Sequence, residues 1–123
     1  MSEFPWGEYI ELAEALLDAP LSVSGEAHWR VAVSRAYYGA FNTARKCLES
    51  EGFTFSGTGK DHLDVRKALE TQPDRKRLSP NLRRLHERRK SADYDDVAEN
   101  KLHKKAKSAV SMAKHIVDTL PSE

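Results

Sequence analysis

Apolar residues recur at steps of three and four along almost the whole chain of 123 residues, and this spacing constrains the fold most. Such spacing is typical of helices that bury one face, whereas strands alternate with a period of two. It predicts helices at residues 5–18, 24–51, 60–71, from 79 to about 92, and from about 93 to 120. The sequence therefore predicts an all-α fold, an up-and-down bundle of four to five antiparallel helices.

The length and composition predict one domain, residues 1–123, with its core at about 5–120. The apolar runs are too short for a membrane-spanning helix, so no membrane association is expected. The first residues lack the basic and apolar segments of a secretory signal. Cys47 is the only cysteine, which excludes a disulfide within the chain and favours a reducing, cytoplasmic location.

The apolar stripes of the helices predict which side chains form the core. The second helix offers an eight-membered stripe: Trp29, Val33, Ala36, Tyr37, Ala40, Phe41, Ala44 and Leu48. The third offers Leu63, Val65, Arg66 and Leu69, and the last offers Leu102, Ala106, Ala109, Val110, Ala113, Val117 and Leu120.

Capping residues predict where several helices begin and end. Ser24 and Gly52 suit the two ends of the second helix. Ser79 and Pro80 suit the start of the fourth, and the acidic run 93–96 suits the start of the last.

Charge is distributed unevenly, although the formal net charge is only +1. Residues 1–27 carry six acids and no Lys or Arg, whereas residues 75–90 carry eight bases and one acid. Residues 101–115 add five lysines and no acid. Salt bridges to the acidic first helix, or simple solvation, would compensate the basic blocks; so would the phosphates of RNA or DNA. The net charge therefore does not exclude a nucleic-acid partner.

An unusual cluster lies on the second helix. Adjacent side chains on a helix point about 100° apart, so Tyr37 is predicted to enter the core and Tyr38 to border it. Gly39 lowers helix propensity, which indicates that another backbone comes close. A second face carries Arg35, Tyr38 and Asn42, and it suits a helix–helix interface. The candidate motif and interface residues are Ser34, Arg35, Tyr37, Tyr38 and Asn42.

A second cluster ends the fourth helix. Arg89 and Asp93 are four residues apart and can pair, and Tyr94 follows them. An arginine, a carboxylate and a phenol together could bind and polarise a phosphodiester; alternatively, they latch the turn into the last helix. The candidate catalytic residues are therefore Arg89, Asp93 and Tyr94. The candidate RNA-binding residues are Arg83, Arg84, Arg88 and Lys90.

No cofactor or metal site is predicted. The segment 57–60 lacks the remaining glycine and hydroxyl positions of a phosphate-binding loop. None of the five histidines lies three or four positions from another, so they are expected to be single surface residues.

The two clusters together resemble the HEPN domain (higher eukaryotes and prokaryotes nucleotide-binding). The resemblance rests on residues 34–41, Ser-Arg-Ala-Tyr-Tyr-Gly-Ala-Phe, and on Arg89-x-x-x-Asp93-Tyr94, and it covers about residues 8–118. It implies a helical bundle that forms homodimers. It also implies a prokaryotic toxin–antitoxin or defence module, often paired with a nucleotidyltransferase and often cleaving RNA without metal. A partner of this kind would make Tyr94 a target for modification.

The sequence departs from the HEPN ribonucleases in one respect. Their signature, Arg followed after four to six residues by His, is absent. Asp93 would then be the base and Arg89 the group that stabilises the transition state. Three hypotheses remain open: an RNA-directed module, a non-catalytic module that dimerises and binds a partner protein, and a helical dimer without a ligand.

Overall fold

The computed structural model describes residues 3–18, 24–98 and 100–121, and these ranges contain five α-helices and no strand. The helices are α1 (Gly7–Leu17), α2 (Gly25–Ser50), α3 (Asp61–Glu70), α4 (Leu78–Tyr94) and α5 (Leu102–Thr119). The predicted all-α bundle is confirmed. The predicted break at Pro20 and Ser22 lies outside the described residues.

Helix α2 is the centre of the bundle, because it contacts each of the other four helices. Its predicted stripe is buried except for Trp29, which is half-buried and stacks on His103 of α5. Both predicted ends of α2 are confirmed. The Ser24 hydroxyl accepts a hydrogen bond from the Ala27 amide at 3.3 Å, and Gly52 follows the helix with φ +102°.

Helices α2 and α4 run antiparallel, and the groove between them holds both candidate clusters. Near the start of α2, Arg30 donates to the carbonyl oxygen of Ala92 at 2.9 Å, close to the end of α4. Two turns further along α2, Tyr37 stacks on His86, which lies earlier in α4, with ring centroids 5.0 Å apart. Residues later in α2 therefore contact residues earlier in α4, as expected for antiparallel helices.

Gly39 lies where α1 crosses α2, as its low helix propensity indicated. A Cβ atom at this position would lie 2.7 Å from Cγ1 of Ile10 and 3.2 Å from the carbonyl oxygen of Trp6. Only a residue without a side chain permits this approach of the two backbones.

The predicted inner face of α3 is partly wrong. Val65 and Leu69 are buried, but Leu63 is 43 % exposed. Ala68 and Asp61 are buried instead, so the inner face follows the spacing of 61, 65, 68 and 69. The carboxylate at the start of the helix is buried because the preceding loop provides it with hydrogen-bond donors.

The predicted N-cap at Ser79 is wrong, whereas Pro80 lies in the first turn of α4 as predicted. The helix begins at Leu78, and residues 73–77 form turns that lead into it. Ser79 is buried inside the first turn, where its hydroxyl donates to Oε2 of Glu70 at 2.5 Å. Its side chain links α3 to α4 and does not cap a backbone amide.

Residues 93–96 do not start the last helix, contrary to prediction. Helix α4 continues through Tyr94, and α5 begins only at Leu102. Arg30 caps this end, because it donates to the carbonyl oxygen of Ala92 in the last turn at 2.9 Å and to that of Asp96 beyond the helix at 3.5 Å. Lys101 precedes α5 with φ +56°, a left-handed conformation that interrupts any helix running through it.

Candidate functional site

A buried arginine lies at the centre of the groove between α2 and α4. Arg89 is 7 % exposed, and its Nη1 donates to Oδ2 of Asp93 at 3.5 Å. Its guanidinium carbon lies 5.2 Å from the ring centroid of Tyr38, 5.7 Å from that of Tyr94 and 6.0 Å from that of Tyr37. Three tyrosine rings therefore surround one cation, a contact that the negative faces of the rings stabilise.

The guanidinium of Arg89 is only partly satisfied. Nε is fully buried and has no hydrogen-bond partner in the described part of the chain. Besides Asp93, Tyr94 also makes a side-chain hydrogen bond with the guanidinium. Burial opposes the charge, but nearby Tyr38, Tyr94 and Asp93 outweigh this effect, so the pKa of Arg89 is raised. The group remains a cation whose Nε–H donor is unused in the described part of the chain.

The Asp93 carboxylate holds the two helices together. Its Oδ2 accepts from the hydroxyl of Ser34, on α2, at 3.2 Å, in addition to Arg89. Arg35 in turn donates from Nη2 to the Ser34 hydroxyl at 3.1 Å. The guanidinium of Arg35 lies 5.4 Å from the ring centroid of Tyr38. Two guanidinium groups therefore flank Tyr38, with one carboxylate bonded into the same network.

Asn42, the remaining candidate on this face, does not join the network. Its side chain donates to the carbonyl oxygen of Tyr38 at 3.0 Å and accepts from Arg45 at 3.1 Å. These contacts lie within α2.

Two histidines that were expected to be single surface residues lie beside this cluster. The rings of His62, on α3, and His86, on α4, stack with centroids 4.4 Å apart. Phe41 stacks on His62 at 4.6 Å and Tyr37 stacks on His86 at 5.0 Å. The expectation of single surface histidines is therefore wrong for this pair. No sequence spacing could have indicated it, because the two rings come from different helices.

The environment keeps both imidazoles neutral at pH 7. Burial, followed by the charges of Arg89 and Arg66, lowers the pKa of His62. Burial, followed by His62 and Arg89, lowers the pKa of His86 to about 4. Burial raises the pKa of Tyr37, so its hydroxyl keeps its proton, and this hydroxyl shares a hydrogen bond with Nδ1 of His62.

The candidate RNA-binding residues are divided between two sides of α4. Arg83 and Lys90 are exposed, and Lys90 is close enough to influence both histidines. Arg84 is exposed on the other flank, where it donates to Asn81 at 3.1 Å. Arg88 turns towards α5, where it lines a small cavity, and its Nη1 is buried without a described partner. Of the four candidates, Lys90 is the one whose charge acts on both histidines.

The acidic first helix does not compensate the basic block 75–90. Within the described residues α1 packs on α2 and α5 and makes no contact with α4. Glu14 of α1 pairs with Lys114 of α5. Arg75 pairs with Glu51 at 2.6 Å. The interpretation that the first helix neutralises this block is wrong, because helix packing keeps the two apart.

Known proteins and known kinds of site provide no further identification. Compared with known proteins, the chain matches no family model, no curated protein and no solved structure. Across residues 3–18, 24–98 and 100–121, no three His, Cys, Asp or Glu side chains are grouped so as to hold a metal ion. None of the helices in the described ranges combines the length and apolar character needed to cross a bilayer.

Proposed function

We propose that the protein is a HEPN-like, RNA-directed module of the toxin–antitoxin or defence type, and that its α2–α4 groove binds an RNA phosphodiester. The observation that carries the proposal is the Arg89 guanidinium, which Asp93 and Tyr94 hold beside three tyrosine rings. A fixed arginine fork matches the oxygens of a phosphodiester.

Aromatic side chains favour single-stranded RNA as the ligand. Tyr94 is 74 % exposed and Tyr38 is half-buried, so both rings are available beside the guanidinium. Unpaired bases stack on such rings, and backbone phosphates pair with nearby cations. Lys90 and Arg83 lie further along α4, where Lys90 pairs with Glu87 at 3.2 Å.

Asp93 is assigned a positioning role in this proposal. Its Oδ2 already accepts from Ser34 and Arg89, and a carboxylate engaged in this way is a poor acceptor for a substrate proton. The two sequence-based interpretations of this cluster are compatible. The Asp93 carboxylate links α4 to α2 through its hydrogen bond with Ser34. The same carboxylate orients Arg89, the residue assigned to bind phosphate.

Binding of a short fluorescent single-stranded RNA tests the proposal. We expect Arg89→Ala to weaken binding by about tenfold to a hundredfold, the range for loss of charge-assisted hydrogen bonds. The matched control is Arg84→Ala, which removes the same charge on the other flank of the helix and should change the affinity by less than about threefold. Circular dichroism checks that both variants fold. Equal binding by wild type and Arg89→Ala would contradict the proposal.

A second candidate function is a protein-interaction module that forms a homodimer and binds a nucleotidyltransferase. The observation that favours it is the exposure of two large side chains where α4 ends: Tyr94, 74 % exposed, and Val97, 84 % exposed. Exposed apolar groups of this kind are common at docking surfaces. Self-association in light scattering, together with no RNA binding by wild type, would favour this function over the first.

A further inference from the structure

We propose that a cavity between α2, α4 and α5 binds a small inorganic oxyanion, with phosphate as the model ligand, and that Arg88 is the residue that holds it. The walls of this cavity include Arg30 of α2, Arg88 and Ser91 of α4, and Lys105 of α5. Neither Arg89 nor any tyrosine of the α2–α4 groove lines it. The cavity is therefore separate from the groove assigned to RNA.

The guanidinium of Arg88 provides the main reason for the proposal. Its Nη1 is fully buried and has no hydrogen-bond partner in the described part of the chain. A buried donor without an acceptor is costly, and the cost is larger when the donor belongs to a charged group. An anion in the cavity would supply both the missing acceptor and the opposite charge.

The charges around the cavity favour an anion over a water molecule. Arg30, Arg88 and Lys105 are cations from three different helices, and none of the described residues that line the cavity has a carboxylate. Arg30 already donates to Oε2 of Glu26 at 3.1 Å. Arg88 makes no such ion pair within the described ranges. Water would satisfy its donor but would leave the charge uncompensated.

The size of the cavity limits the ligand. The depression encloses about 260 Å³ up to its open mouth, whereas its inner part of about 10 Å³ has room for one water-sized group. One oxygen of a phosphate ion fits this inner space while the others remain at the mouth. The hydroxyl of Ser91, on the same wall, is a further donor for them. A phosphodiester suits the narrow space less well, because it carries a sugar on each side.

Helix geometry separates this site from the proposed RNA site. Arg88 and Arg89 are adjacent on α4, and adjacent side chains on a helix point about 100° apart. Arg89 therefore faces the tyrosines of α2, whereas Arg88 faces the cavity beside α5. Anion binding in the cavity does not depend on RNA binding in the groove.

Titration calorimetry with inorganic phosphate at constant ionic strength tests the proposal. We expect Arg88→Met to weaken phosphate binding by at least about tenfold, since it removes the charged donor. The matched control is Arg84→Met, which removes the same charge from an exposed position of the same helix and should change the affinity by less than about twofold. No phosphate binding by wild type, or equal affinity of wild type and Arg88→Met, would overturn the proposal.

Thermal unfolding gives a second measurement. Phosphate should raise the Tm of Arg84→Met more than that of Arg88→Met, because a ligand that binds only the folded state stabilises it. Phosphate also stabilises proteins in general, through exclusion from their surfaces, and comparing two variants in the same buffer cancels this effect. Equal rises in Tm would contradict the proposal.

A carboxylate of the chain itself could take the place of the anion. Glu99 lies between two lining residues, Ala98 and Leu102, in the sequence, and it is outside the described residues. We expect Glu99→Gln to change the phosphate affinity by less than about threefold. A gain of about tenfold or more would identify the Glu99 carboxylate as the ligand of Arg88 and would overturn the proposal.

The remaining outcomes distinguish this site from the groove and from other anions. Phosphate binding that is lost in Arg89→Ala but kept in Arg88→Met would assign the anion to the groove, against this proposal and in favour of the proposed function. Tighter binding of chloride, or of a dinucleotide with one phosphodiester, than of phosphate would also overturn it. If Arg88→Met fails to fold, Lys105→Met should weaken phosphate binding by at least about threefold relative to the exposed control Lys104→Met. Equal affinities of those two variants would contradict the proposal.

Discussion

At the scale of single residues, one buried carboxylate organises the loop before α3. Asp61 accepts from the amide and the hydroxyl of Ser56 and from the amide of Gly57, each at 2.9 Å. Burial opposes the charge, but these hydrogen bonds outweigh it, so the pKa of Asp61 is lowered. The side chain was not predicted as a structural residue, because its donors come from a loop whose path the sequence does not specify.

We expect Asp61→Asn to lower the Tm by about 4 to 8 °C, the usual effect of losing a buried interaction in a domain of this size. The amide keeps one acceptor oxygen but turns an NH₂ group towards a backbone N–H, which leaves a donor unpaired. Asp64→Asn is the matched control, since it removes the same charge from the same turn and its side chain makes no described hydrogen bond. Thermal unfolding by circular dichroism measures both; equal Tm values for the two variants would contradict the expectation.

At the scale of helices, the crossing of α1 and α2 depends on Gly39. The sequence predicted a close approach at this position. The carbonyl oxygen of Trp6 would lie only 3.2 Å from a Cβ atom on Gly39, which confirms the prediction. The helix ends were less predictable. Residues 93–96 suit the start of a helix by composition, but α4 ends at Tyr94, and Arg30 of α2 donates to the carbonyl oxygens of Ala92 and Asp96 there. Contacts between helices override a local capping preference.

Gly39→Ala should destabilise the protein by about 1 to 2 kcal/mol, because the clash with Ile10 and Trp6 exceeds the gain in helix propensity. Gly7→Ala provides the control. No atom lies within 4 Å of its added Cβ, so we expect an increase in stability of about 0.5 kcal/mol. Urea unfolding gives both values. A Gly39→Ala variant more stable than wild type would show that the two helices can move apart freely.

At the scale of the whole molecule, the stacked histidines couple folding to pH. Both imidazoles are neutral in the fold and have lowered pKa values, that of His86 being about 4. The unfolded chain binds their protons at the ordinary pKa of about 6.5. Below that pH the unfolded state therefore holds more protons, and stability falls until the pH passes the folded pKa. The stability that comes from keeping His86 neutral is fully present above about pH 6.5 and is lost as the pH falls towards 4.

We expect wild type to lose on the order of 1 kcal/mol more stability than His86→Phe between pH 7 and pH 4.5, a modest value because the ring is partly solvated. The phenyl ring keeps the stacking with Tyr37 and His62 but takes up no proton. Urea unfolding at the two pH values measures the difference. His115→Gln should follow wild type. Identical pH dependence of wild type and His86→Phe would mean that the imidazole titrates normally in the fold.

The sequence by itself determined the helices, most of their inner faces, the burial of Tyr37 and the close approach at Gly39. These features follow from local spacing and side-chain size, which repeat with the helical period. The Arg89–Asp93 pair was predictable for the same reason, since both residues lie on one helix. The HEPN resemblance stays a prediction.

Only the tertiary structure decided which residues from different helices meet. It placed His62 beside His86, joined Ser34 to Asp93, and kept the acidic first helix away from the basic block of α4. The lowered pKa values of the histidines follow from burial and from cations on neighbouring helices. Electrostatic effects of this kind depend on distances through space, which helical periodicity does not specify.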